Sequence, residues 1–367
     1  METSIKTVKL PLVMPKLEVQ RELSRVFRDF RWIYDETAKR LPSLPRRRIG
    51  YSKDSVYYEW VREFRGSVDL PAQVAQQAVS KARESYASML SNKVFDGVPR
   101  SKRNVAQFHN QCFHIERFGD RFFLDLPVKA GRKNNRVLIP FKKNDYSDAI
   151  LKDVVSTKLD YGASELKRYD DQYSFNLVIK SPIEVQEGIT PVGVDFGLTN
   201  IAVACAFSEG TPHVKLWSGK QSRYKRKMFL ERIQNLSRKR LLQEVKKTKN
   251  KYRQYMKTKN HKVSREIIEF ASTYVKPIII LEDLHKFRKQ NDWTFSELRT
   301  FIEYKALEAG IPVMSINPKN TSNICNRCGY TDPMNRNGIN FTCVSCGYQV
   351  NADVNAAINL SLVLMNT

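Results

Sequence analysis

The chain has 367 residues, 41% hydrophobic and 11% aromatic, and its 62 Lys and Arg outnumber 38 Asp and Glu to leave a formal net charge of +24. That length supports two or three domains with cores of their own, and the composition excludes a disordered chain. The charge sets aside an ordinary small-molecule enzyme in favour of a polyanionic partner, nucleic acid first; no apolar run approaches the ~20 residues of a membrane span, so no membrane partner is expected.

Val8, Leu10 and Leu12 alternate with Lys9 and Pro11, which predicts a strand over Ile5–Leu12 that ends before Pro15. From Lys16 to about Asn92 apolar residues recur at helical spacing, as in Leu23, Val26, Phe27, Phe30 and Ile33 and again in Val74, Ala78, Ala82, Tyr86 and Leu90. Pro42, Pro45 and Arg46-Arg47-Arg48 break that region into pieces. From about Phe108 to Ile183 the signal turns to short β-rich runs, 121–126, 136–139 and 173–179, which predict a small barrel. A strand as short as 5–12 cannot stand alone, so it is expected to join the barrel across the inserted helices. Residues 1–14 and 106–188 therefore form the β part, 15–105 the helical insertion, and Pro182–Pro191 a linker.

The second half alternates strands and helices, the pattern of an α/β domain. Val192–Asp195 reads as a buried strand, Phe196-Gly197-Leu198-Thr199-Asn200 as a turn, and Ile201–Phe207 as a second strand. Between Lys215 and Arg265 stand 19 Lys or Arg and only Glu231 and Glu244, leaving that segment +17. Phe229, Ile233, Leu236, Leu241, Val245, Tyr252 and Tyr255 or Met256 recur at intervals of three, four or seven, predicting one long helix with a single buried stripe. Its other face, around Arg223, Lys225, Arg226, Lys227, Arg238, Lys239 and Arg240, is expected to contact phosphates, because a merely solvated face mixes signs. A further helical pattern runs through Val263, Ile267, Ala271 and Tyr274. Pro277–Leu281 is a continuous apolar run that ends in Glu282-Asp283, the mark of a strand covered on both faces. Trp293–Ala309 reads as a helix and Ile311–Ile316 as a strand.

Cys325-Asn326-Arg327-Cys328-Gly329 and Cys343-Val344-Ser345-Cys346-Gly347 are two Cys-x-x-Cys hooks separated by 14 residues. Thiolates at this spacing converge on one tetrahedral zinc, and each glycine supplies a positive φ. With no secretory signal, and with Cys112 and Cys205 standing singly, reduced thiols are expected rather than disulfides. Three acids stand at element ends: Asp195 in the first strand, Glu282 closing the buried strand, and Asp353 opening the last helix. Taken singly, Asp195 could be a turn residue, Glu282 a strand end and Asp353 a helix cap. Their convergence is what a two-magnesium phosphodiester cleavage site requires, since hard oxygen ligands bind that ion.

Gly193-Val194-Asp195-Phe196-Gly197-Leu198, Leu281-Glu282-Asp283-Leu284, Thr321-Ser322 before Cys325-x-x-Cys328-Gly329, and Asp353-x-Asn355-Ala356-Ala357-x-Asn359 together resemble the TnpB family of transposon-encoded, RNA-guided nucleases. The helix and strand motifs Phe301–Ala306 and Gly310–Val313 extend the likeness, which covers residues 191–360. The resemblance implies a fold of α/β plus β class. An RNase H-like (RuvC) nuclease domain, 189–324 and 348–367, would be interrupted by a zinc ribbon at 325–347 that binds target nucleic acid. Asp195, Glu282 and Asp353 match the family's catalytic magnesium-binding carboxylates. A wedge-type β-barrel (1–14 and 106–188) with a helical recognition domain (15–105) would hold a guide RNA encoded by the transposon end, and base pairing would read the target DNA next to a short adjacent motif. The implied location is the cytoplasm, on the nucleoid, in a prokaryotic or phage-encoded host context. One departure is Asn351, where relatives often carry an acid. A compact type V CRISPR effector, a TnpB-derived RNA-guided repressor and a plain zinc-ribbon DNA-binding protein are the alternative readings. The repressor would have lost catalytic acids, and the plain binding protein would leave all three idle.

Overall fold

Alternate side chains of a strand face opposite ways, and Val8, Leu10 and Leu12 are all buried. In the computed structural model, which describes all residues except 1, 51–53, 93–96, 132–134, 198, 284–292, 317–320 and 365–367, this segment is β1 (Glu2–Pro11). The chain divides into two compact units, Ile5–Ser181 and Pro182–Thr367 with Met1–Ser4.

In the first unit, helices α1 (Leu17–Arg40), α2 (Arg46–Gly50), α3 (Ser55–Arg65) and α4 (Ala72–Ser91) follow β1. Leu23, Val26, Phe27, Phe30, Ile33 and Tyr34 form the buried stripe of α1, against which Val74, Ala78 and Ala82 of α4 belong to the same core. The strands are β2 (Val105–Phe108), β3 (His114–Phe118), β4 (Arg121–Pro127), β5 (Arg136–Pro140), β6 (Asp160–Tyr161), β7 (Ser164–Tyr169) and β8 (Gln172–Ile183). They form two sheets, ordered β1-β8-β7-β2 with β6 on β8, and β3-β4-β5. The end of β1 touches both: Leu12 N donates to Tyr173 O at 3.0 Å, Val13 N to Pro140 O at 2.9 Å, and Leu12 bridges Phe141. The N-terminal strand thus joins the later β structure across the inserted helices. Helix α5 (Asp145–Val155), capped by Asn144 Oδ1 on Ser147 N, stands within the region read as β-rich alone.

The second unit is built on β9 (Thr190–Asp195), β10 (Asn200–Ser208), β11 (Thr211–Ser218), β12 (Pro277–Glu282) and β13 (Val313–Ile316), in the order β11-β10-β9-β12-β13. The first three are antiparallel, while β12 runs parallel to β9 and β13 parallel to β12. The helices are α6 (Lys220–Arg238), α7 (Leu242–Ala271), α8 (Trp293–Glu308) and α9 (Ala352–Leu362). Val192, Val194, Ile279 and Leu281 share a core with Ile267 and Ala271 of α7 and Leu298 and Ile302 of α8. Residues of the opposite parity, Val203 and Cys205 of β10 and Ile278 and Ile280 of β12, meet Ala357, Ile358 and Leu360 of α9. Burial on both faces is why β9 and β12 read as unbroken apolar runs. The edge strand β11 was not visible as one, because it is mostly exposed and so carries polar residues on both sides.

The basic segment is a correction: it folds as two helices, α6 and α7, not one. Arg240 takes φ 56°, Arg240 N donates to Ser237 O at 2.9 Å, and Leu241 N to Leu236 O at 3.0 Å. That is a Schellman ending with an arginine where glycine is usual, so no glycine marked the break. The two helices then face each other, with Phe229 and Tyr252 ring centroids 5.3 Å apart.

Gly193 fixes the remaining contact. A Cβ there would lie 2.4 Å from Ala357 O and 2.5 Å from Ser361 N, so only glycine lets the backbone of α9 rest on β9. Gly193→Ala is expected to lower stability by about 1–3 kcal/mol, the usual cost of overpacking against backbone that cannot yield. Urea-denaturation midpoints measure this; an unchanged midpoint would mean that α9 is not held so closely.

Candidate active site

Leu281 pairs with Val194 across the parallel β9–β12 ladder, so the next residues, Glu282 and Asp195, leave neighbouring strands at the same level. Helix α9 packs on one face of the sheet, with Asp353 in its first turn. Asp195 and Asp353 are 7% and 4% exposed; Glu282 is half-buried. The structure therefore brings the three acids predicted from sequence to one place, 87 and 71 residues apart in the chain though they are.

Asp353 and Glu282 are held by partners to which the sequence assigned no such role. Asn200 Nδ2 donates to Asp353 Oδ2 at 3.1 Å, and Arg336 Nη2 approaches Asp353 Oδ1 at 3.4 Å. Thr321 Oγ1 donates to Glu282 Oε1, and Arg299 Nη1 donates to the Glu282 carbonyl at 2.7 Å. Asn351 is the N-cap of α9, its Oδ1 accepting from Asp353 N at 3.0 Å and Val354 N at 3.3 Å, so at the position where an acid was expected, capping is served instead. Asn355 and Asn359, one helical turn apart, both donate through Nδ2 to Ile324 O at 2.8 Å, and Asn359 also to Thr321 O. That spacing, visible in the motif, was the one signal that α9 pins the segment leading to the cysteines. Leu198 and Leu284 of the motifs lie outside the described residues.

Burial pushes the Asp195 carboxyl well above the usual carboxylate range, and the charges of Glu282 and Asp353 push it further, against the pull of Arg336. Burial also raises Glu282, against Thr321 and Arg336. Carboxylates crowded out of water are a site for a hard divalent cation, which relieves both penalties. Among the described residues only the four cysteines form a set of three or more ligating side chains whose ligand atoms all lie within 4.8 Å. The three acids fall outside that criterion.

Around the cysteines the two hooks repeat one geometry. Gly329 N donates to Cys325 O and Gly347 N to Cys343 O, both at 2.9 Å, while Cys325 N and Cys343 N donate to Tyr330 O and Tyr348 O. Gly329 and Gly347 take φ 74° and 72°, the left-handed turns the motif called for. Cys325 Sγ lies 3.7 Å from Cys346 Sγ and Cys328 Sγ 3.6 Å from Cys343 Sγ, close to the roughly 3.8 Å edge of a tetrahedron with 2.3 Å zinc–sulfur bonds, and far beyond a disulfide. The donor set and its shape fit zinc. Three short strands, β14 (Arg336–Asn337), β15 (Asn340–Thr342) and β16 (Gln349–Asn351), support the hooks.

The seven basic residues do not share one face. Arg223, Arg226 and Lys227 line a common groove on α6, Lys225 is half-buried on the stripe of Phe229 and Ile233, and Arg238, Lys239 and Arg240 form the exposed tip of the hairpin.

Residues 295–360 match the family described as Cas12f1-like, TNB domain. A CRISPR-associated endodeoxyribonuclease Cas12f1 of Sulfoacidibacillus thermotolerans is 30% identical over 236 residues, 58% of this chain and 56% of that one. A TnpB-like protein of Methanocaldococcus jannaschii is 37% identical over 114 residues, 27% of this chain and 40% of that one. The chain is related to the TnpB-like and Cas12f proteins. It spans 56% and 64% of the length of two Cas12f1 relatives that it matches. A cryo-EM structure of a Cas12f1–sgRNA–target DNA complex superposes with a TM-score of 0.74 over 98% of this chain and 99% of that one at 17% identity, so the two share a fold. No helix among the described residues is long and apolar enough to cross a membrane.

Two outcomes follow from this geometry. Because the fold raises the Asp195 pKa, the stability it contributes at low pH is lost as pH rises through the raised value. With a chelator present, Asp195→Asn should therefore stabilise the chain at pH 7.5 by about 0.5–2 kcal/mol, with the gain shrinking toward pH ~3, below the ordinary aspartate pKa of about 3.9. Urea titrations at the two pH values measure it; a less stable Asn variant at pH 7.5 would contradict the electrostatics. At the hooks, Cys343→Ser should lower zinc content and speed hydrogen exchange across residues 325–347, since a structural zinc contributes folding energy. Wild-type protein without zinc by elemental analysis would refute the assignment.

Proposed function

We propose that the chain is an RNA-guided DNA endonuclease of a transposable element, cutting target DNA at a magnesium-dependent RuvC site. The observation that carries this reading is the meeting of Asp195, Glu282 and Asp353 at the ends of two adjacent parallel strands and the start of one helix, with Asp195 and Asp353 buried, Glu282 half-buried, and the carboxyl pKa raised at Asp195 and Glu282. Two magnesium ions held there would activate water and stabilise the leaving 3′-oxygen. The chain's own part is to place and protect the ligands: Asn200 and Arg336 hold Asp353, Thr321 and Arg299 hold Glu282, and α8 and α9 cover the two faces of the sheet. The strand order β11-β10-β9-β12-β13, three antiparallel strands followed by two parallel ones, supports the RNase H-like reading of residues 189–324 and 348–367.

The four cysteines would hold one structural zinc in a ribbon, 325–347, that contacts target nucleic acid. The strand 1–14 and the β region 106–188, joined through Leu12 and Val13, support a wedge-type barrel, with 15–105 as the recognition insertion that grips guide RNA and its duplex with target DNA. A net charge of +24 suits a protein that must hold two nucleic acids by their backbones while base pairing reads sequence. The work would take place in the cytoplasm, on the nucleoid. A compact type V effector using a CRISPR RNA is the second reading, favoured by the match of residues 295–360 to the Cas12f1-like domain family and by Cas12f1 relatives. A repressor that binds without cutting is disfavoured by the presence of all three acids.

Sequencing the RNA that copurifies with the chain separates the first two, a transposon-end transcript against a CRISPR RNA. Asp353→Ala should reduce cleavage of a matched target by a factor on the order of 10³ or more while guide and target binding persist, and adding Asp195→Ala should cost little further, because ligands of one site act as a unit. Cleavage near the wild-type rate by Asp353→Ala would overturn the nuclease assignment.

A further inference from the structure

A small cavity adjoins the acids without belonging to them. Gly197, Gly219, Ser222, Arg223, Arg226 and Phe295 line it. It holds about 60 Å³, room for four to six water-sized groups at roughly 10–15 Å³ each. A phosphate group fits that space. Its wall at Gly197 is the acid cluster's own: a Cβ there would stand 3.0 Å from Asp353 Oδ2.

Ser222, Arg223 and Arg226 bring donors to this space; Tyr252 and Asn260, whose Nδ2 donates to Glu297 Oε2 at 2.9 Å, also line it. Helix α6, 19 residues long, begins here, with Gly219 as N-cap, no side-chain cap and no acid in its first turn. Its first N–H groups have no intrahelical acceptor; Lys220 N finds Ser218 Oγ at 3.3 Å, while those of Gln221 and Ser222 point out of the helix end. The positive end of the helix dipole favours an anion at this place. A second observation is independent of the helix end: the Ser222 side chain, 8% exposed, has its hydroxyl oxygen buried with no hydrogen-bond partner among the described residues. A buried hydroxyl without a partner is costly, and here it lines the space the helix end faces. Among the described lining residues there is no Asp or Glu, and the charged ones are Arg223 and Arg226. Phe295, stacked on Phe196 with centroids 6.4 Å apart, closes the apolar side.

We propose that this cavity is a phosphate subsite that holds a backbone phosphodiester of the DNA strand entering the acid cluster, gripped by the N-terminal N–H groups of α6, the Ser222 hydroxyl and Arg223. It rests on the nuclease reading for the identity of the strand, and it gives the +17 segment a local task. The subsite fixes where along the backbone the strand is registered, and the acids act on a neighbouring phosphate.

The test uses the full chain with Asp195→Asn, which removes cleavage, and a fluorescent single-stranded oligothymidylate as probe. Ser222→Ala removes the hydroxyl without adding volume, and Gly219→Asp places at the N-cap a carboxylate that suits the helix while repelling a phosphate. Each variant, folded by its melting temperature, should bind the probe about tenfold more weakly, and Gly219→Asp should lower the slope of log affinity against log salt by about 0.7, one phosphate contact on a single strand. If Gly219→Asp does not fold, Ser222→Ala decides alone. Folded variants with wild-type affinity and slope would overturn the subsite. A chain with Asp195 intact that cuts no DNA would overturn the nuclease reading instead, while the binding comparison still decides whether the cavity takes a phosphate.

Discussion

Like charges held close together out of water set the terms for this molecule. Asp195 is buried between two strands that cover its flanks, with Glu282 and Asp353 both raising its pKa, and nothing in the hydrophobic core would choose that arrangement. It persists because several independent constraints determine it. The β9–β12 register puts two acids at one level, Gly193 admits α9 against the sheet, and Asn351 fixes where α9 begins. Remove the closeness of α9 and Asp353 withdraws; remove the register and Glu282 turns to the other face, since a slip of one residue inverts a strand.

The cysteine module depends on the same helix. Its own core is slight, Phe341 and Ala352 with two of the cysteines and a few half-buried neighbours, too little to hold three strands of two or three residues without a staple. Asn355 and Asn359 tie its leading segment to α9, and Arg336, from within the module, reaches Asp353. The order of the ribbon and the order of the acids are therefore coupled through one eleven-residue helix. A metal at the cysteines would then steady the acids without touching them.

What was legible in the sequence was what short-range chemistry dictates. A Cys-x-x-Cys-Gly hook needs only its own residues, so both hooks and their positive φ values were readable, as were acids ending apolar runs. What the sequence did not disclose depended on partners far away in the chain or on an atypical residue in a typical role. Arg240 ends α6 where a glycine would have announced the break. β11 is an exposed edge, so no apolar alternation marks it, and α5 hides in a β-rich stretch behind the cap of Asn144. The partners of the acids, Asn200, Thr321, Arg299 and Arg336, are ordinary polar residues whose task exists only once the fold has brought them within hydrogen-bond distance. Periodicity alone joined α6 to α7, because the apolar stripe continues through the turn: Leu236 and Leu241 close the Schellman ending that separates the helices.

Crowded carboxylates of this kind suit a divalent cation. Anomalous diffraction from crystals of the full chain soaked in Mn²⁺ tests this most directly, with the cysteine metal as internal reference. Peaks that bridge Asp195 to Glu282 and to Asp353, with Arg336 displaced or retained beside them, are the predicted result. Crystals in which the cysteine site is occupied while no Mn²⁺ lies at the three acids, or lies only at other surface carboxylates, would contradict it.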